Sequence, residues 1–423
     1  MMKKILLVTI ILISAFQLKS QNLTYVRQLI DTLCSESMFG RGFEFKGDSI
    51  AADFLSKELK NNRVKCFGED YYQNLSFPVN TFEGNMFVEI DNIELNVGID
   101  YLILPSSSSC KGTYEIAVID KNLIKNERKF NTFKSRNHSN QFILIDTVGL
   151  NDKSFKDIYK KIVEENLLNA KGIIVIENGN LTHSVSTEVK KFPVIVLKRE
   201  SLPKTTSEII IDIENKFIAK YDSKNVIGYI KGATDTFIVL TAHYDHLGTL
   251  GQEVYFPGAH DNASGVSLCM DLIKTFANRK SIPHYSIAVI FFTGEELGLL
   301  GSGYYVENPV FPLKNIKFLL NLDLAGSGED GIQIVNSTIF TKQFDLLTNI
   351  NKENDFMKTI KSRGAAANSD HYFFYEAGVP SFFIYTLGAY KEYHNIYDKS
   401  DSLPLNDYED YFRLLQKFIE EIN

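Results

Sequence analysis

Ser286-Ile-Ala-Val-Ile-Phe-Phe-Thr-Gly-Glu-Glu-Leu-Gly-Leu-Leu-Gly-Ser302 is the stretch on which the fold turns. After Ser286 the chain is apolar through Phe292 and then breaks at Thr293-Gly294. A short, β-rich apolar run bounded in this way reads as a strand buried on both faces, the kind found in parallel sheets. Two carboxylates, Glu295 and Glu296, follow side by side. Adjacent anions at the rim of a buried strand repel each other, and burial raises the cost of charge. A cation that neutralises one of them relieves this and leaves the other free to act as a base. Acidic pairs also occur at solvated helix starts, where the dipole favours them, so the neighbouring segments decide.

From residue 219 onward strands and helices alternate. Strands are expected at 236–242, 286–292, 316–322, 332–335 and 381–385. Helices are expected at 264–276, with Asn262 as a candidate N-cap, from 297 to 306, at 341–351 and at 408–422. This pattern predicts an α/β domain: a mostly parallel mixed sheet flanked by helices, with sites at the carboxyl ends of the strands. Residues 21–65 read as two helical pieces, 25–33 and 48–59, separated by Met38-Phe-Gly-Arg-Gly42. Residues 21–80 are taken as the N-terminal part of the same domain and 219–423 as its catalytic part. Between them, 81–218 carries short β-rich runs and one helix near 154–169. It reads as a separate inserted domain without chemistry, its His138 and His183 being expected as solvated loop residues.

The chain has 423 residues, 44% hydrophobic and 23% charged, which is ordinary globular composition. Residues 1–20 have a basic start and a short apolar run, as a signal peptide does, with an uncleaved anchor as the alternative. The expected location is exported, periplasmic or secreted. Those residues carry Lys3, Lys4 and Lys19 and no acid, so their removal takes the net charge from −7 to −10. An acidic surface argues against nucleic acid or an anionic membrane as partner. The four cysteines, Cys34, Cys66, Cys110 and Cys269, form no Cys-x-x-Cys pair, which argues against a thiolate metal site. Export would permit a Cys34–Cys66 disulfide. Cys269 reads as a core residue. The Asn262-Ala-Ser264 sequon falls within the expected site, where a glycan would block it; this favours a bacterial exported protein.

Five segments supply chemistry. His243-Tyr-Asp-His246 follows the 236–242 strand. In extended chain, residues i and i+2 point the same way, so His243 can bind a metal while Asp245 orients it. His246 reads as a loop or packing residue. Asp261 lies in a Gly-rich turn before a helix, where a plain N-cap would explain it equally well. Glu295 and Glu296 come next, then Asp323 at the end of an apolar strand, then His394 after the last strand. Two zinc ions need about four ligands each, and a shared carboxylate and a shared water complete that count. One metal would take His243 and Asp323, the other Glu296 and His394, with Asp261 bridging. Glu295 is left unligated beside the bridging water, the place for a general base.

These segments, in this order, resemble the zinc aminopeptidases of peptidase family M28. The resemblance runs through Ala242-His-Tyr-Asp-His-Leu-Gly248, Gly258-Ala-His-Asp-Asn-Ala-Ser-Gly265, Thr293–Ser302, Asn321-Leu-Asp-Leu324, Ser369-Asp-His-Tyr372 and Tyr393-His394. It covers 220–423 and, more loosely, 21–80 through Gly40-Arg41. It implies a zinc-dependent exopeptidase fold with two zincs held by His243, Asp261, Glu296, Asp323 and His394, and Glu295 as base. It also implies Tyr393 as a hydrogen-bond donor to the tetrahedral oxyanion. Lys171-Gly-Ile-Ile-Val-Ile176 and Phe192-Pro-Val-Ile-Val196 resemble the protease-associated (PA) domain often inserted in this family. His260 departs from the pattern, which more often has Asp or Asn there, and reads as a turn residue rather than an intruder near the metals. Ser369-Asp370-His371 is expected to support the ligands rather than join them.

The expected function is therefore hydrolysis of N-terminal residues from peptides. A carboxypeptidase or dipeptidase on the same scaffold, a one-zinc glutaminyl-peptide cyclase and a non-catalytic binding protein are the alternatives.

Overall fold

The computed structural model describes residues 23–146 and 153–422. The signal peptide expected over 1–20 lies outside the described residues. Among these, no helix is long and apolar enough to cross a membrane.

Two eight-stranded sheets organise the chain. The first runs in the order Tyr72–Thr81, Lys216–Ile230, Ser286–Phe292, Phe237–His243, Ile316–Leu322, Ser381–Leu387, Gly331–Val335, Ile360–Ser362. Its four central strands, from Ser286–Phe292 to Ser381–Leu387, are mutually parallel. Antiparallel pairings flank them on both sides. The central strands are buried on both faces, and their side chains alternate between two cores. Ile287, Val289 and Phe291 face the core built with helices Leu23–Leu33, Gly47–Asn61, Ser264–Ala277 and Tyr408–Glu421. Ala288, Ile290 and Phe292 face Tyr305 and Phe374, from helices Leu300–Glu307 and His371–Glu376. That double burial is why these strands read as unbroken apolar runs.

The second sheet lies wholly within 86–213. One face is covered by Phe130, Phe133, Phe155 and Ile162 of its own helices. The other face packs on Leu247, Leu250 and Phe256 of the first domain, making a core common to both. The strand Lys216–Ile230 runs across the boundary expected at 218/219 and pairs with Tyr72–Thr81, so the segment leaves and returns along one antiparallel ladder.

Several expectations change here. Cys34 and Cys66 are free, so the disulfide permitted by export is not formed. His138 is buried rather than solvated: its ring nitrogens bond Gln141 and the Phe133 carbonyl, and the ring stacks on Phe133. His183 is buried as well. Cys269 is a core residue. The Asn262 side chain is fully buried, its Oδ1 accepting the Gly265 N–H and its amide donating to the Leu322 carbonyl.

Candidate metal centre

His243 ends its strand, Asp323 follows Leu322 at the end of the adjacent one, and Glu295 and Glu296 follow Phe292 on the other side. Parallel pairing puts these strand ends at one edge of the sheet. The turn into the glutamates uses Gly294 at φ 67°, a left-handed conformation that costs glycine little. Asp245 ties two of the segments together. Its carboxylate accepts the N–H of Glu295 at 3.2 Å and of Glu296 at 3.4 Å. The His243 ring is oriented by the Asp245 main chain, Nδ1–H donating to the carbonyl at 3.1 Å, with the Asp245 carboxylate 3.8 Å away.

The Asp261 carboxylate lies between two imidazoles. Oδ1 is 3.2 Å from His243 Nε2 and Oδ2 is 3.0 Å from His394 Nε2. His243 Nε2 is also 3.4 Å from Asp323 Oδ2, and His394 Nε2 is 3.2 Å from Glu296 Oε2. His394 Nδ1–H donates to the His183 carbonyl at 3.2 Å. Ser369 donates to Asp323 Oδ2 at 3.3 Å. The Asp261 loop is held by Asp398, whose carboxylate accepts the N–H groups of His260 and Asp261. Arg41, fully buried, donates to the carbonyls of Leu33, Tyr244, Pro257, Gly258 and Asp261.

Burial resists charge on Asp261, yet hydrogen bonds from His243 and His394 hold its carboxyl well below the usual range. Burial acts the same way on Glu296, and His394 and His246 bring it down to about 2. Burial opposes protonation of His394, but Glu296 and Asp261 raise it to about 11. Glu295 goes the other way: burial, with Asp370 and Glu296 nearby, pushes its carboxyl well up.

Ligand atoms of His243, Glu295 and Asp323 lie within 4.8 Å of one another, as do those of His243, Asp261 and Glu296. Asp323 Oδ1 is buried with no hydrogen-bond partner. Carboxylates and imidazole Nε2 atoms so crowded, with one buried oxygen unpartnered, suit divalent cations. A cavity of about 320 Å³ opens on this edge, lined by Glu295, Asp323, Arg363, Tyr385 and Tyr393 among others. Tyr393 is 47% exposed and stacks on the His394 ring at 3.8 Å, its hydroxyl without a partner among the described residues.

Other residues prove to belong to the site. His246 does lie in a loop, between Phe237–His243 and Thr249–Leu250, but it is fully buried and donates from Nδ1 to Glu296 Oε1 at 2.8 Å, so it does more than pack. Its place in the same segment as His243 was the available signal. His183 meets His394 through main-chain atoms, which no side-chain pattern encodes. Asp398 sits four residues after His394. His260 is no intruder: its ring accepts the Gly326 N–H at 3.2 Å, and burial lowers it to about 4.

Acids and imidazoles thus converge on the carboxyl ends of parallel strands in an arrangement that can hold divalent cations. Residues 225–419 match the model of peptidase family M28. Aminopeptidase YwaD of Bacillus subtilis is 29% identical over 53% of this chain and 50% of its own length. A probable leucine aminopeptidase of Trichophyton verrucosum is 32% identical over 40% of this chain and 47% of its own. The chain thus spans about half the length of these curated relatives. The solved zinc aminopeptidase BSAP from Bacillus subtilis covers 94% of both chains at 18% identity with a TM-score of 0.71, a likeness of fold.

Proposed function

We propose that the protein is an exported aminopeptidase that holds two zinc ions and removes N-terminal residues from peptides. The observation that carries this reading is the Asp261 carboxylate set between His243 and His394, one oxygen toward each. Names of relatives, zinc aminopeptidase and aminopeptidase, agree with it. His243 and Asp323 would hold one ion, His394 and Glu296 the other, and Asp261 both. When bound, the ions supply an acidified water and charge to polarise the carbonyl. Glu295 lines the cavity and its carboxylate has no donor among the described residues, so it is free to take the water's proton and pass it to the leaving amine. Tyr393, which lines the same cavity, would donate to the developing oxyanion. Asp245 keeps His243 and the glutamate turn in register. Glu295 and Asp323 give the substrate's ammonium an acidic wall. Residues 81–218 are read as a PA-like insert.

Arg363 favours a second reading. Its guanidinium lines the same cavity, donates to the Tyr385 hydroxyl at 3.1 Å and has no carboxylate partner among the described residues. A carboxylate-recognising dipeptidase or carboxypeptidase would use such a group. Metal content, with free-amine, N-acetylated and C-terminally amidated peptides on one sample, separates these. About two zincs and cleavage that requires the free amine support the aminopeptidase. Cleavage of N-acetylated peptides, or an absolute need for a free C-terminus, overturns it.

A further inference from the structure

We propose that the sheet of residues 86–213 is a working part of the metal centre, because the His183 main chain fixes the tautomer and direction of His394. The proposal rests on the reading of His394 as a ligand. His183 lies in the loop between strands Gly172–Glu177 and Val194–Lys198. Its N–H donates to the His394 carbonyl at 2.8 Å, and its own carbonyl stands 3.2 Å from His394 Nδ1. A carbonyl only accepts, so Nδ1 carries a hydrogen, and Nε2, which faces Asp261 and Glu296, is the nitrogen that would give up its own hydrogen and turn its lone pair to a bound ion. The same pair of bonds helps to hold His394 at φ 54°, a backbone conformation that a residue other than glycine keeps only when its surroundings impose it.

The loop is itself well anchored. The His183 ring stacks on Phe256 at 4.9 Å and 17°. Leu181 is buried in one cluster with Leu247, Leu250 and Phe256. The Ser186 carbonyl accepts the Asn80 N–H at 2.9 Å. His243 and Asp323 are steadied differently, by the Asp245 carbonyl and by Ser369. The two metal positions therefore differ in origin. One is built by the catalytic sheet, while the other is completed by the inserted segment.

Zinc titration against a chromophoric chelator tests this on the full chain, comparing wild type with His183→Pro and His183→Ala. Proline removes the N–H that bonds His394, whereas alanine keeps the main-chain pair and removes only the ring stack. The expected result is that His183→Pro keeps one zinc at wild-type affinity and binds the other roughly 10–100-fold more weakly. His183→Ala should bind the weaker zinc better than His183→Pro does. Two zincs at wild-type affinity in a folded His183→Pro protein overturn the proposal. A wild type that binds fewer than two zincs instead sinks the two-metal reading beneath it. Nitrogen-15 histidine spectra of the zinc-loaded wild type need no variant. An Nδ1–H tautomer at His394 supports the assignment and an Nε2–H tautomer overturns it.

Discussion

His246 Nδ1 donates to Glu296 Oε1 at 2.8 Å while His394 Nε2 meets the other oxygen of the same carboxylate at 3.2 Å. Glu296 is thereby held by one oxygen and offered by the other. His246→Ala removes the holding bond, and we expect a roughly 10-fold or greater loss of affinity for one zinc. His246→Gln, which can still donate, should recover part of it. Equal zinc affinity in wild type and His246→Ala would show the bond to be incidental.

Glu295→Ala should leave zinc content unchanged and lower kcat by about three orders of magnitude or more, since a positioned base contributes ~10²–10⁴-fold. Stopped-assay turnover with metal analysis on the same sample checks both halves. A variant that keeps wild-type kcat rules out Glu295 as the base.

Arg41 satisfies five carbonyl contacts from a fully buried position, reaching the loops that carry His246 and Asp261. Lysine has three donors and no planar fork. Arg41→Lys should therefore cost about 3 kcal/mol or more in urea unfolding, because carbonyls are left buried and unpaired. A loss below about 1 kcal/mol would contradict this account.

Asp48 is buried beneath the Tyr221 and Ser223 hydroxyls, which donate to it at 2.5 and 2.6 Å. Burial, only partly offset by those donors, raises its carboxyl to about 6. Between pH 4 and 6 the folded protein then binds more protons at this group than the unfolded chain does. Its contribution to stability is full below the unfolded pKa and is lost as pH rises through about 6, by up to about 3 kcal/mol. The melting midpoint of Asp48→Asn relative to wild type should thus be more favourable at pH 7.5 than at pH 4.5. A difference that is the same at both pH values removes Asp48 as the source.

Arg363 should favour substrates that bring a carboxylate into the cavity. Peptides with N-terminal Glu or Asp test the side-chain origin, and dipeptides against their amides test the C-terminal one. Arg363→Met is expected to raise KM for the preferred acidic substrate about 10-fold and to leave an N-terminal Leu tripeptide amide unaffected. Equal changes for both substrates would assign Arg363 to structure rather than selection.

The central strands were legible because double burial writes them as continuous apolar runs, and Ser286–Phe292 has the expected bounds. Glu295, Glu296, Asp323 and His243 were legible because they punctuate the ends of those runs, whereas Asp261 stands in the turn before helix Ser264–Ala277. Lys216–Ile230 was harder: its exposed alternate residues, such as Lys220 and Asp222, resemble a polar loop. Ile360–Ser362 is a three-residue edge strand and carries too little pattern to stand out. His183 was taken for a solvated residue because its contribution to His394 runs through peptide atoms that every residue type shares.

The ladder from Tyr72↔Val226 to Thr81↔Lys216 also orders events during synthesis. Strand Tyr72–Thr81 is an edge strand whose one partner in the sheet is Lys216–Ile230. Everything needed for the second sheet has left the ribosome before that partner appears. Because domains tend to fold as units while the chain grows, the smaller sheet can form first and present the His183 loop as a finished surface. The catalytic edge would then assemble against it, with His394 among the last of its groups to arrive.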